Sequence, residues 1–212
     1  MNDKLTVLSH PLVGQIMTEL RDQNTPPHQF RALVRKLSML LCYEATKNLP
    51  TVETEVITPV APAKGVMVDQ SKLVFLPILR AGLGMLDGAL ELVPGASVGH
   101  LGMYRDEETL TPVHYYTKLP PKFEGRGAII LDPMLATGGS AVDAVEKAAS
   151  YRPAWIKFLC ILSAPQGIEK LSKAYPDVEI YTAAVDQRLN DHGYIVPGLG
   201  DAGDRIFGTV EV

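Results

Sequence analysis

The sequence predicts an α/β fold in which a mostly parallel sheet is flanked by helices. Three observations predict it. The runs Leu73–Leu79, Ala128–Leu131 and Trp155–Ser163 are almost continuously apolar, as strands covered on both faces are. Segments suited to helices, Gly82–Val93, Ser140–Tyr151 and Gly167–Tyr175, follow those runs in turn. Strands and helices that alternate in this way build βαβ units.

Taken in order, the first fifty residues read as helical. Pro11 opens one helix, with Leu12, Ile16 and Leu20 at i, i+4 spacing. Thr25-Pro26-Pro27 starts a second, in which Phe30, Leu33, Val34, Leu37, Leu40 and Leu41 keep a 3.6-residue period until Pro50 stops it. Val52–Thr58 reads as a strand. Ala96–Tyr104 and His114–Leu119 are weaker strands around a polar loop. Val178–Val185 is the last strong strand, and residues 186–212 carry many glycines and little periodicity.

A chain of 212 residues is read as a single domain, 1–212, with an N-terminal helical arm (1–50) and a C-terminal loop region (186–212). Apolar residues at 46% and charged residues at 21% exclude extensive disorder, and no apolar run reaches the length of a membrane span. Twenty basic against 24 acidic residues give a net charge of −4, which argues against a broad grip on nucleic acid. Cys42 and Cys160 sit in apolar patterns and read as buried thiols in a reducing compartment. Residues 1–6 lack a basic start followed by an apolar stretch, so the expected address is cytoplasmic. His10, His28, His100, His114 and His192 show no zinc-ligand spacing.

Ligands bind beyond the carboxyl ends of strands in such sheets, and three segments lie there. In the first, an apolar strand runs into Asp132-Pro133-Met134-Leu135-Ala136-Thr137-Gly138-Gly139-Ser140. Glycines let a ligand approach the backbone, and unpaired amides at a helix start attract an anion. Thr137 and Ser140 can add hydroxyls. The segment lacks the Gly-Lys-Ser/Thr of a nucleotide-triphosphate loop. A bare Thr-Gly-Gly-Ser could equally be a tight turn with Ser140 as a cap. Asp132 shifts the balance, because a carboxylate beside a phosphate needs hydroxyls, cations or a metal, and a phosphorylated sugar supplies hydroxyls.

The second segment, Leu79-Arg80-Ala81-Gly82, puts a guanidinium after a buried strand. It suits a diphosphate, or equally an acid at a helix start. Arg105, in Tyr104-Arg105-Asp106-Glu107-Glu108-Thr109, reads from residue type alone as part of a solvated loop. The third segment, Asn190-Asp191-His192-Gly193-Tyr194-Ile195-Val196-Pro197-Gly198-Leu199-Gly200-Asp201-Ala202-Gly203-Asp204-Arg205, exposes backbone donors and acceptors, or is an irregular tail tied down by turns.

Asp-Pro-Met-Leu-Ala-Thr-Gly-Gly-Ser resembles the 5-phosphoribosyl-1-diphosphate loop of the type I phosphoribosyltransferases, and in particular their uracil phosphoribosyltransferase branch. Tyr104–Thr109, Tyr115–Pro120 and Gly193–Arg205 resemble the same family, and the likeness spans nearly the whole chain. It implies a type I phosphoribosyltransferase fold with N-terminal helices and a C-terminal hood over the base. It also implies transfer of the phosphoribosyl group to uracil, giving UMP and pyrophosphate. Arg80, Arg105 and the Asp132–Ser140 loop, with Asp201, would bind the donor. The backbone of Ile195, Gly200, Asp201 and Ala202 would bind uracil, whose two carbonyls flank an N–H. Asp132, Arg105 and Asp201 would carry the chemistry. Mg²⁺ would be held mainly by the diphosphate and ribose hydroxyls, with Asp201 near it through water. A homodimer or larger assembly and a GTP effector are further implications. A regulatory nucleotide- and RNA-binding protein on the same fold is the competing expectation, and the acidic charge weighs against it.

Overall fold

The computed structural model describes residues 3–105 and 112–209. A short strand, β1 (Leu5–Val7), precedes helices α1 (Pro11–Arg21) and α2 (Pro27–Ala45). The reading of the first fifty residues as wholly helical is therefore corrected: three residues are too few to display a period. The Leu12 amide donates to His10 Nδ1, which caps α1 ahead of Pro11. α2 buries Phe30, Leu33, Val34, Leu37 and Leu41. It ends five residues before Pro50, because the amide and hydroxyl of Thr46 both donate to the Cys42 carbonyl and close the last turn.

β2 (Thr51–Ile57) and β3 (Pro62–Val68) form an antiparallel hairpin that stands away from the body, with almost every residue exposed or half-buried. Pro62 and Gly65 hide β3 from a pattern reading. There follow β4 (Leu73–Leu79), α3 (Leu83–Leu92), β5 (Ser97–Val98), β6 (His100–Arg105) and β7 (Pro112–Lys118). Next come β8 (Gly127–Leu131), β9 (Met134–Leu135), α4 (Gly139–Ala149), β10 (Trp155–Ser163), α5 (Pro165–Ala174) and β11 (Glu179–Val185). The last part holds the strand pair β12 (Arg188–Leu189) and β13 (Ile195–Val196), then the short helix α6 (Ala202–Phe207).

The main sheet runs β1-β11-β10-β8-β4-β6-β7 and is parallel except for the edge pair β6–β7. Both faces of its central strands are covered, which is why β4, β8 and β10 are apolar at nearly every position. Phe75, Ile129 and Leu159 point to the side of Phe30, Leu37 and Met85, whereas Val74, Ile130 and Phe158 point to the side of Ala144, Val145 and Leu171. Each fully buried side chain of this size contributes roughly 1.5–3 kcal/mol. This rigid centre fixes where the loops after β8 and β4 emerge.

Candidate active site

The loop after β8 is tied to the sheet at every step. The Asp132 amide donates to Leu159 O, the amides of Ile161 and Leu162 donate to Pro133 O, and the Ala164 amide donates to Leu135 O. Gly138 then takes a left-handed conformation (φ 79°), and α4 begins. A Cβ on Gly138 would lie 3.0 Å from Gly167 O, and one on Gly167 would lie 2.5 Å from Ala136 O. The two glycines thus let α5 press directly onto the loop. Gly138 is the N-cap and makes no side-chain cap bond, so Ser140 lies inside α4 and is not its cap. The first amides of an α-helix have no partner within it. Gly139, Ser140 and Ala141, which carry such amides here, line a pocket of about 480 Å³.

Asp132 sits on the floor of that pocket, half-buried. Among the described residues its carboxylate accepts one long hydrogen bond, from the Met134 amide at 3.5 Å. Burial raises its pKa to about 7 against the bond from Met134, and the charge of Asp201 adds to the rise. Water still reaches the group through the mouth of the pocket, but protein packs around it on the other sides.

The opposite wall comes from the C-terminal region. Antiparallel pairing of Leu189 with Ile195 brings residues 189–195 into a hairpin, whose turn is held by Asn190 Oδ1 accepting from the amides of His192 and Tyr194. A cis Val196–Pro197 peptide follows. Gly198 and Gly200 both have positive φ, and a Cβ on Gly198 would lie 2.1 Å from Ile195 O. Asp201 caps α6, its Oδ1 accepting from the Asp204 amide at 2.9 Å.

Most of the expected residues converge. Asp132, Met134, Leu135, Ala136, Thr137, Gly138, Gly139 and Ser140 share one pocket with Ile195, Gly200, Asp201 and Ala202. Pro133 lies behind the loop, where its carbonyl serves the sheet. Arg80, after a cis Leu79–Arg80 peptide, is not part of the lining. Its guanidinium is 3.6 Å from the Asp204 carboxylate and lies over the Phe207 ring, the pairing with an acid at a helix start that residue type alone allowed. Arg105 ends β6, and its side chain lies outside the described residues. Sequence reading missed Ala81, Ala141, His192, Gly193, Tyr194 and Gly203 as lining. All but Ala141, one residue past Ser140, fall inside the three segments, so their place in the chain was the available signal. Cys42 and Cys160 are buried free thiols, and burial pushes both up to about 12.

A carboxylate under a glycine-turned strand-to-helix loop, at the carboxyl ends of a parallel sheet, is the architecture of a type I phosphoribosyltransferase. Residues 7–209 match the family model described as uracil phosphoribosyltransferase. A uracil phosphoribosyltransferase from Dictyoglomus thermophilum is 60% identical over 203 residues, 96% of this chain and 98% of that protein. One from a Geobacillus species is 54% identical over 206 residues, 97% of this chain and 99% of that protein. A solved structure of a protein from Aquifex aeolicus superposes with a TM-score of 0.93 at 41% identity, covering 98% of this chain and all of that one. The chain belongs to the uracil phosphoribosyltransferase family.

Proposed function

We infer that the pocket carries out the reaction of the family, with each wall serving one substrate. The enzyme transfers the 5-phosphoribosyl group from 5-phospho-α-D-ribose 1-diphosphate to uracil, giving UMP and pyrophosphate in pyrimidine salvage. The bond from ribose C1 to the diphosphate oxygen breaks with its electron pair leaving on oxygen, and a bond from uracil N1 to C1 forms. No protein nucleophile is required.

The observation that carries this reading is that the Thr137–Ser140 loop and Ile195, Gly200, Asp201 and Ala202 line one pocket together with Asp132. The α4 amides and hydroxyls of the first loop hold the 5′-phosphate. Asp132, poorly satisfied on its own, accepts from the ribose hydroxyls, and its charge favours the positive charge that develops on the sugar. Ile195, Gly200, Asp201 and Ala202 offer backbone groups to the donor–acceptor edge of uracil. Cytosine reverses two of those three matches, at roughly 1–3 kcal/mol for each buried mismatch. Arg80 and Arg105 serve the diphosphate, and for Arg80 this means leaving Asp204. Fixing both reactants in line supplies much of the remaining rate.

Two carboxylates at one pocket, one raised in pKa partly by the other, fit a divalent cation. Mg²⁺ would lie with the diphosphate and ribose hydroxyls, near Asp201 through water, and when bound it neutralises charge on the leaving group. Loss of turnover in excess chelator tests this part. Activation by GTP rests on the family resemblance, and a cytoplasmic address on Cys42 and Cys160 read as thiols of a reducing compartment. A homo-oligomer rests on the resemblance too, and is supported by the projecting hairpin, which leaves Val52, Val56 and Met67 exposed on one face. Solution mass, with Met67→Glu as the dissociating variant, tests the assembly.

UMP carries both the phosphate and the base, so its binding tests the shared pocket. Gly138→Ala and Gly200→Ala each force a side chain into a left-handed position, at about 1–2 kcal/mol. Each is expected to weaken UMP binding. A variant at either loop that leaves UMP affinity unchanged contradicts the reading.

A further inference from the structure

We propose that Arg21, at the end of α1, is a positioning residue for the acceptor base: with Asp186 it fixes the peptide at Gly198 and thereby the backbone of Gly200–Ala202. The inference rests on the reading of that loop as the uracil site.

The segment Pro197–Gly200 carries two glycines at positive φ, and Leu199 is its one side chain in the main core. Such a stretch adopts many conformations unless something outside it decides. Three groups do. Arg21 Nη1 donates to Asp186 Oδ2 at 2.7 Å and to Gly198 O at 2.8 Å, while Nη2 donates to Asp186 Oδ1 at 2.6 Å. The Gly198 amide donates to Asp186 Oδ2 at 2.8 Å. Both polar groups of Gly198 are thereby held by one ion pair. Asp186 is itself fixed, its amide donating to Ser163 O at the end of β10.

A second contact runs the other way. Arg205, on α6, donates to Leu199 O at 2.7 Å and returns to α1 through Leu20 O and Asp22 O, both at 2.6 Å. Its guanidinium lies 4.4 Å from the centre of the Phe30 ring. α1 thus sends an arginine to the loop backbone at Gly198, and α6 sends one to the loop at Leu199 and to the end of α1. Residues 198 and 199 are held, and the next residues, Gly200 to Ala202, face the pocket. Neither Arg21 nor Asp186 lines the pocket, so their effect on the base passes through the loop.

A bidentate guanidinium suits this task because one group must span a carboxylate and a carbonyl at once, which an ammonium cannot reproduce. A base read by backbone groups tolerates little displacement, since buried hydrogen bonds are lost over a fraction of an ångström.

The test compares the wild-type enzyme with Arg21→Ala, Arg21→Lys, Gly200→Ala and the double variant Arg21→Met/Asp186→Leu. The readouts are KM for uracil, KM for the sugar diphosphate and thermal midpoint. Arg21→Ala is expected to raise KM for uracil about tenfold or more, with KM for the sugar diphosphate changed by less than about twofold. Arg21→Lys should recover only part of the loss. The double variant replaces both charges with apolar groups, so it recovers stability and stays folded if the single variant does not. Its KM for uracil should nevertheless stay raised, because nothing holds Gly198. Recovery of that KM together with stability, or equal rises for both substrates, would show a merely structural role and overturn the proposal. A raised KM for uracil in Gly200→Ala but not in Arg21→Ala also overturns it while leaving the loop assignment standing. No change in either removes the loop from the base site and the proposal with it.

Discussion

Asp132 and Asp201 face one pocket from two separate parts of the chain, and the charge of Asp201 adds to the burial that holds the Asp132 carboxyl at about 7. Among the described residues no salt bridge involves either group. The arrangement is costly without a ligand and is relieved by one that brings hydroxyl donors and positive charge. A ribosyl donor with its cation and a developing oxocarbenium meets that need, which links the electrostatics of the free enzyme to its chemistry.

The charge of Asp132 is expected to matter most in the transition state. Asp132→Asn should lower kcat by about 10²–10³ and leave KM for uracil nearly unchanged. Steady-state kinetics with both substrates varied checks this, and an unchanged kcat removes Asp132 from the mechanism.

The same carboxyl makes a signed prediction about stability. Folding raises its pKa from 3.8 to about 7, so between those values the folded chain holds a proton that the unfolded chain does not. Stability therefore falls as pH rises from 4 to 7 and levels off above, by an amount on the order of 2–4 kcal/mol once residual solvent is allowed for. Asp132→Asn lacks this loss. The gap in thermal midpoint between variant and wild type should widen from pH 4 to pH 7, and a constant gap contradicts the assignment.

Gly167 is outside the donor loop but in contact with it. Gly167→Ala places a methyl 2.5 Å from Ala136 O, which must push α5 away from the loop. Overpacking of this kind costs typically about 1–3 kcal/mol. The expected result is a lower thermal midpoint together with a higher KM for the sugar diphosphate. An unaltered KM would mean that the loop does not depend on α5 for its shape.

Much of this was legible in the sequence, for a physical reason. β4, β8 and β10 are covered on both faces, so composition alone marks them, and the glycine turn after β8 must be written in residues because no other residue takes that backbone cheaply. β1 and α6 were not legible: three and six residues give no period, and each is held by partners far along the chain. The contacts Arg21–Asp186 and Arg205–Leu20 join residues more than 160 positions apart, which no local pattern encodes. The position of Arg80 was left open by its residue type, and its pairing with Asp204 depends on where α6 packs.

Arg80 and Arg105 are assigned to the diphosphate, so Arg80→Ala and Arg105→Ala should each raise KM for the sugar diphosphate and spare that for uracil. One lost charge-assisted hydrogen bond, about 1.5–3 kcal/mol, corresponds to roughly 10- to 100-fold. Initial rates at saturating uracil measure it, and a selective loss of uracil affinity would place the arginine elsewhere.

The most direct test of the whole account is a panel of acceptor bases with the wild-type enzyme. Uracil, cytosine, hypoxanthine, adenine and orotate are each offered with 5-phospho-α-D-ribose 1-diphosphate and Mg²⁺, and pyrophosphate release is followed. Rapid release with uracil alone is the predicted result; release with cytosine or a purine at a comparable rate would contradict selection of the base by the backbone of residues 195–202.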